Sequence, residues 1–463
     1  MVQDTNGIHI TQGPDRTGSN TPQHDSSLHK GYYLSDKARE SEIDGIRGLL
    51  IHEKPGVVSF VSALAGKPNP HTFPFESITL NLKAPLGSRT DDPNAAPTQL
   101  TIEGPDLDAA LQYGPTPGLA NFRAWLEDFQ SAVHGRAKGD QWTVNVGTGS
   151  QDLMAKTFGV VLNPGDPVLI ETPVYAGILP PLRNLKAKTI EVEVDEQGIS
   201  PDSLEQILGN WPADQKRPKV VYVNPVGCNP SGCSHSKERK LAVLEICKKY
   251  NLLILEDDPY YYLAQQRIPS YFELETQVFP NGGHVVRFDS FSKLLAAGMR
   301  LGFATGPKEI LHAIDVVTAG ASLHSSAVSQ AVAYRLVKHW GVEGFSNHAQ
   351  HVADFYAERR KRFEDLAHKH LDGLATWVSP VAGMFLWIDL SPAGVEDSYS
   401  LVREEALAKG VLAVPGFAFF PNGRKSSHVR TSFSLVDLDN DAELGMERLA
   451  SAIRDWQKRN GKA

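Results

Sequence analysis

The sequence predicts an α/β protein in which a mostly parallel central sheet is covered by helices and a second, smaller α+β domain follows. Three observations carry this expectation. Near-continuous apolar runs at 168–170, 220–223, 252–255, 285–288 and 301–304 read as strands buried on both faces, as in parallel sheets. Helical patterns such as Lys237 to Tyr250 lie between some of them, which makes βαβ units. After that sheet is complete, two strand–helix units close the chain.

At 463 residues the chain is too long for one ordinary core, so more than one domain is expected. Residues 1–37 are mostly Ser, Thr, Asn, Gly, Pro and His. They bury too little to offset their ordering entropy and are expected to be a disordered or loosely held tail. Residues 38–112 are expected to form an N-terminal arm and part of the smaller domain. They open with Ile43, Ile46, Leu49 and Leu50 at helical spacing, then a short apolar strand and a Gly/Pro loop through SALAGKPNPHTFPF. The Pro- and Asp-rich stretch 80–105 reads as loop. Leu107 to Leu111 starts a helix that stops at the Gly114-Pro115-Thr116-Pro117-Gly118 break, and Leu119 to His134 makes a second, amphipathic one. Residues 113–345 are expected to be the large domain, with a strand at Trp142 to Val146 and a turn at Asn163 to Asp166. The small domain, 346–463, follows a long helical region that begins near 307. Its strands lie near Trp377 and at Met384 to Ile388, and its helices at Tyr399 to Lys409 and Asp441 to Arg459; VLAVPG and HVRTSFS lie between those helices.

Hydrophobic content of 41% and charged content of 22% are those of a soluble globular protein. A net charge of −8 argues against nucleic acid or an anionic membrane as the main partner. No apolar run approaches the ~18 residues of a membrane helix. The N-terminal stretch lacks a basic region followed by an apolar one, and it is too acidic and Arg-poor for a transit peptide. Three cysteines, Cys228, Cys233 and Cys247, make no disulfide framework, so a reducing, cytoplasmic setting is expected.

The stretch from His284 to Gly306, HVVRFDSFSKLLAAGMRLGFATG, is where the chemistry concentrates. A β-branched strand ends in a loop carrying Ser290, Ser292 and Lys293, with Arg300 seven residues on. A lysine among apolar neighbours has a depressed pKa and can attack or hold a carbonyl. Two hydroxyls and a guanidinium beside it suit a phosphate monoester dianion. The combination points to a phosphate-bearing carbonyl cofactor joined to Lys293 as an imine, pyridoxal 5′-phosphate (PLP).

In open α/β sheets ligands bind beyond the carboxyl ends of the strands, and those ends carry the remaining groups. Strand 142–146 ends in Gly147-Thr-Gly-Ser150-Gln151, whose amides at a helix start suit a phosphate. After 168–170 comes Tyr175, a face to stack on the ring. After 220–223 comes Asn229, and after 252–255 the run Glu256-Asp257-Asp258-Pro-Tyr260-Tyr261. Asp258 is the candidate carboxylate opposite the ring nitrogen, keeping it protonated. Tyr261 and Asn229 are the candidate donors to the ring oxygen O3′. Lys293 then moves the proton between the substrate α-carbon and the cofactor C4′. Cys228, Cys233 and His235 lack a fourth metal ligand at workable spacing, and the Asn-Pro-Ser-Gly turn explains the segment without metal.

Taken in order, SALAGKPNPHTFPF, LQYGPTPGLANFRAWL, LNPGDPVLIETPVYAG, NPSGCSHSKERK, LEDDPYYYL, DSFSKLLAAGMRLGF, GMFLWIDL and HVRTSFS resemble a fold-type I PLP aminotransferase. The resemblance runs from about Ile46 to the C-terminal helix. It is nearest the branch of mammalian kynurenine/2-aminoadipate aminotransferases and fungal aromatic amino acid aminotransferases. It implies a homodimer in which Tyr113 reaches the cofactor phosphate of the neighbouring subunit. It implies Arg430 as clamp for the substrate α-carboxylate, assisted by Asn229. The region around Gly66 is expected to cover the substrate, and Arg47 to meet a distal carboxylate. The implied reaction is ping-pong transfer of an amino group from an aromatic amino acid (Trp, Phe or Tyr) to a 2-oxo acid such as 2-oxoglutarate. A 2-aminoadipate or kynurenine donor, or another fold-type I reaction such as elimination, is the alternative.

Overall fold

A computed structural model of the protein describes residues 31–42, 66–83, 98–139 and 141–462. Its organising element is an eight-stranded sheet built from β3 (Thr143–Gly147), β4 (Pro167–Thr172), β5 (Lys188–Asp195), β6 (Gly198–Ile199), β7 (Val220–Val223), β8 (Leu253–Asp257), β9 (Val285–Ser290) and β10 (Gly302–Gly306). The order across the sheet is β3-β10-β9-β8-β7-β4-β5-β6. β5, β4, β7, β8 and β9 run parallel, whereas β10 is antiparallel to both its neighbours. Every residue of β4, β7, β8, β9 and β10 is buried, because separate apolar clusters cover the two faces of the sheet. The expected runs thus fall in strands, with the sheet mostly parallel as read.

A four-stranded antiparallel sheet, ordered β11-β12-β14-β13, forms the second unit. Its strands are β11 (Thr376–Trp377), β12 (Phe385–Asp389), β13 (Val414–Pro415) and β14 (His428–Ser432). The helix Asp441–Arg459 buries Met446, Leu449, Ile453 and Trp456 against this sheet, in a third apolar cluster. The helical run Ala327–Leu371 links the two units. Gly341, at φ +65° and ψ −175°, divides it into two helices. Positive φ is cheap only for glycine, so the change of direction falls there. Ala331 and Val337 before it pack into the large core, and Phe363 and Leu371 near its end pack into the small one.

Two expectations are corrected and a third element is refined. Residues 31–37 are not a loose tail: Tyr33 and Leu34 are buried, Ser35 N–H donates to the Val160 carbonyl at 2.7 Å, and Tyr33 OH donates to Asn251 Oδ1 at 3.0 Å. Two apolar side chains were enough to dock a segment of polar average composition. The stretch 80–105 is not all loop, since β1 (Ile78–Asn81) pairs antiparallel with β2 (Gln99–Ile102); Leu100 is buried and Ile102 packs into the large core, and residues 84–97 between the strands lie outside the described residues. The helix expected at Tyr399 to Lys409 begins at Ser398 and widens to i→i+5 turns over Val402–Ala406. The helix expected at Ile43 to Leu50 and the strand after it lie outside the described residues. Among the described residues no helix is long and apolar enough to cross a membrane.

Candidate active site

The carboxyl ends of the central strands meet around a cavity of about 280 Å³. On one side, β3 turns through Gly147-Thr148-Gly149 into the helix Ser150–Val161. Gly149 sits at φ +85°, ψ +163°, a region open in practice to glycine alone. A Cβ there would stand 2.7 Å from Arg300 Nη2, and one on Gly302 would stand 2.6 Å from the Ser150 amide. Glycine therefore lets a guanidinium and a β-strand close in on the first free N–H groups of a helix. Arg300 Nη1 donates to Ser292 Oγ at 3.3 Å and to the Ala297 carbonyl at 3.1 Å. Ser290 Oγ accepts the Ser292 N–H. Ser150, Gln151, Ser290, Ser292 and Arg300 all line this side of the cavity. Helix-end amides, hydroxyls and a guanidinium form a cradle for a dianion.

Lys293 lines the same cavity, from a single 3₁₀ turn at Phe291–Lys293 anchored by the buried Phe291 ring. Desolvation, with the nearby positive charge of Arg300, lowers its pKa. This is the direction an attacking amine needs.

At the opposite wall the structure corrects two assignments. The carboxylate lining the cavity is Asp257, and the tyrosine lining it is Tyr260; Asp258 and Tyr261 do not line it. Strand side chains alternate between faces, so Glu256 and Asp258 point to one side of β8 and Asp257 to the other. Asp258 Oδ2 instead accepts from Arg287 Nη1 at 2.7 Å. Arg287, itself fully buried, also binds Asp289 and Glu256. Tyr261 lies under this cluster, with the Arg287 guanidinium 4.6 Å from its ring centre. Tyr260 faces the cavity, edge-on to Phe385 at 6.1 Å.

Asp257 is buried. Its Oδ2 accepts from Tyr222 OH at 2.7 Å, and Asn224 Nδ2 donates to its backbone carbonyl at 2.6 Å. Among the described residues Oδ1 has no hydrogen-bond partner. Burial raises its carboxyl to about 7, against the Tyr222 bond, which lowers it.

The remaining predicted residues divide in three. Tyr175 and Asn229 line the cavity. Arg430, on β14, joins it from the small unit: Nη1 donates to Asn229 Oδ1 at 2.9 Å, and the guanidinium lies between the Phe385 and Phe419 rings, 4.3 and 5.1 Å from their centres. Its Nε is buried with no partner among the described residues. Tyr113 stands apart, 52% exposed and edge-on to His324. Gly66 is exposed, with nothing within 4 Å of its would-be Cβ, and Arg47 lies outside the described residues. Sequence reasoning missed Asp257, Tyr260, Asn224 and Phe385. The available signal was the i, i+2 spacing of Glu256 and Asp258 beside Arg287 and Asp289, which marks one face for a buried ionic cluster and leaves Asp257 to the other.

These groups fit PLP. The glycine-opened cradle takes a phosphate, the desolvated amine takes an aldehyde, and the bare Oδ1 of a buried carboxylate awaits an N–H donor. Comparison with known proteins agrees. Residues 95–445 match the family described as aminotransferase class I and II. The chain is 41% identical over 425 residues to aminotransferase tdiD of Emericella nidulans, covering 91% of this chain and 95% of that one. It is 35% identical over 412 residues to the mitochondrial kynurenine/alpha-aminoadipate aminotransferase of Bos taurus, covering 86% and 92%. The crystal structure of the aromatic aminotransferase Aro9 from Candida albicans matches with a TM-score of 0.82 at 25% identity, covering 93% and 98%. The chain belongs to the class I and II aminotransferases. It is a fold-type I transaminase whose cofactor is PLP and whose substrates are amino acids and 2-oxo acids.

Proposed function

We propose that the protein moves an amino group from an aromatic amino acid, tryptophan, phenylalanine or tyrosine, to 2-oxoglutarate. The observation that carries the reading is that Lys293 and Asp257 line one cavity together with the Ser150–Arg300 cradle. Ser150, Gln151, Ser290, Ser292 and Arg300 would hold the cofactor phosphate, and Tyr175 the ring face. Asn229 and Tyr260 would donate to O3′, and Asp257 would oppose the ring nitrogen. The cofactor supplies an electron sink that makes the substrate α-proton acidic. Lys293, its amine favoured in the neutral form by desolvation and Arg300, would take that proton and return it on the cofactor side. Arg430 grips the substrate α-carboxylate through two parallel N–H groups.

Two features support the aromatic donor. The Phe385 and Tyr260 rings wall part of the cavity, and of the described cations at the site Lys293 and Arg300 belong to the cofactor side and Arg430 is taken up by the α-carboxylate. The similar Candida albicans structure is that of an aromatic aminotransferase. The second carboxylate of 2-oxoglutarate is assigned to Arg47. The purified holoenzyme, given one donor at a time without acceptor, is expected to lose its cofactor absorbance fastest with Trp, Phe or Tyr. Faster conversion by 2-aminoadipate or kynurenine would overturn the aromatic choice, and no conversion by any donor would favour an elimination reaction.

The exposure of Tyr113 supports a homodimer with shared sites. Tyr113→Ala and Lys293→Ala proteins should each be nearly inactive. Unfolded together and refolded, they should regain activity, because one site of each mixed dimer pairs an intact Lys293 with an intact Tyr113. If mixing restores nothing beyond the sum of the two, Tyr113 does not act across an interface.

A further inference from the structure

Asp257 is held by groups of unequal kind. Asn224 fixes its backbone carbonyl, Tyr222 fixes Oδ2, and its backbone lies in register with Phe288 of β9. Oδ1 alone is bare. Terminal carboxylate torsions are soft, so a backbone hold does not decide which oxygen faces the cavity. Tyr222 does. It lies on β7 in register with Leu255, two residues before Asp257 on the same face, and its hydroxyl spans that offset.

We infer that Tyr222 is a positioning residue that aims the Asp257 carboxylate at the cofactor's ring nitrogen, an inference resting on the site reading above. Tyr222 is fully buried and packed against Phe158 at 6.2 Å. Its burial keeps the hydroxyl protonated far above the usual range, so it donates to Oδ2 and leaves Oδ1 as the free acceptor. The other charged neighbours of Asp257 oppose its ionisation: Asp258, Glu171 and Asp289 all bring negative charge, and the Tyr222 hydrogen bond counters them. A carboxylate with one oxygen engaged and one bare offers a single oxygen to a pyridinium N–H. Without the hydroxyl, both oxygens lack a partner and the group turns.

The test separates aim from architecture by using two ligands, PLP and its deaza analogue, in which carbon replaces the ring nitrogen. Each is titrated into the cofactor-free full-length chain, wild type, Tyr222→Phe, Asp257→Asn and the double variant. Phenylalanine fills the same apolar volume, so the fold is retained, and a thermal melt verifies it. Tyr222→Phe should weaken PLP on the order of tenfold, as for a lost hydrogen bond to a charged group, and leave the analogue unchanged. The double variant should bind PLP no more weakly than Asp257→Asn, the non-additivity expected of two groups acting as one. Equal weakening of both ligands by Tyr222→Phe, or no weakening of either, would overturn the proposal for Tyr222. If Asp257→Asn itself does not discriminate between the ligands, the site reading fails first.

Discussion

Lys293→Ala is expected to give a folded protein that binds PLP without covalent attachment, lacks the absorbance band of a lysine imine and turns over at least 10²–10⁴-fold more slowly, roughly the contribution of a positioned acid–base group. The side chain is half-buried beside Arg300, and both desolvation and that positive charge favour the neutral amine. In the proposed reaction a neutral amine would serve twice, to hold the aldehyde and to accept the α-proton. Absorbance spectra of the purified variant and single-turnover rates with one donor check both roles. Turnover within tenfold of wild type would remove Lys293 from the reaction.

The second large effect separates two adjacent carboxylates. Asp257→Asn should lower turnover by on the order of 10²–10³-fold, since it deletes the charge preorganised for a cation in the cofactor ring. It should not lower the melting temperature of the cofactor-free chain. Burial raises the folded-state carboxyl to about 7, above its unfolded value. Its stabilising share is therefore present at low pH and is lost as pH rises through about 7. Above that pH the neutral amide suits the fold better than the carboxylate. Asp258→Asn should keep activity within about tenfold, because its side chain faces Arg287 on the other side of the sheet and an amide oxygen still accepts there. The cluster it belongs to is a matter of stability: Arg287→Met leaves Glu256, Asp258 and Asp289 buried without their guanidinium and should cost about 3–5 kcal/mol. Melting curves and kcat for the three variants decide the matter. If Asp258→Asn is the inactive one, the alternation argument is wrong.

That one-residue correction marks what the sequence can and cannot express. Strands β4, β7, β8 and β9 are buried on both faces, so their apolar runs announce a central sheet plainly. The same uniformity erases the record of which face each residue takes. Two adjacent aspartates at the end of such a strand are then indistinguishable by composition, and so are three consecutive tyrosines. β5 poses the converse case. It lies next to the short edge strand β6 and is only partly covered, with Val192 as its one buried residue, and although KTIEVEVD shows the period of two, a search for continuous apolar runs passes over it. The cradle was easier, because a serine, a glutamine and an arginine placed beside glycine turns declare themselves by type. Docking of Tyr33 and Leu34 was hidden for a different reason: two anchors in a polar stretch do not move its average.

Arg430 Nε, buried and partnerless among the described residues, makes the resting protein uncomfortable at one atom. Leaving a buried donor unmet costs roughly 1–3 kcal/mol, and in the role proposed for Arg430 an arriving α-carboxylate would relieve it. Amino donor and keto acceptor both carry that carboxylate, so one built-in tension would assist capture in each half of the cycle, whichever side chain the visitor brings.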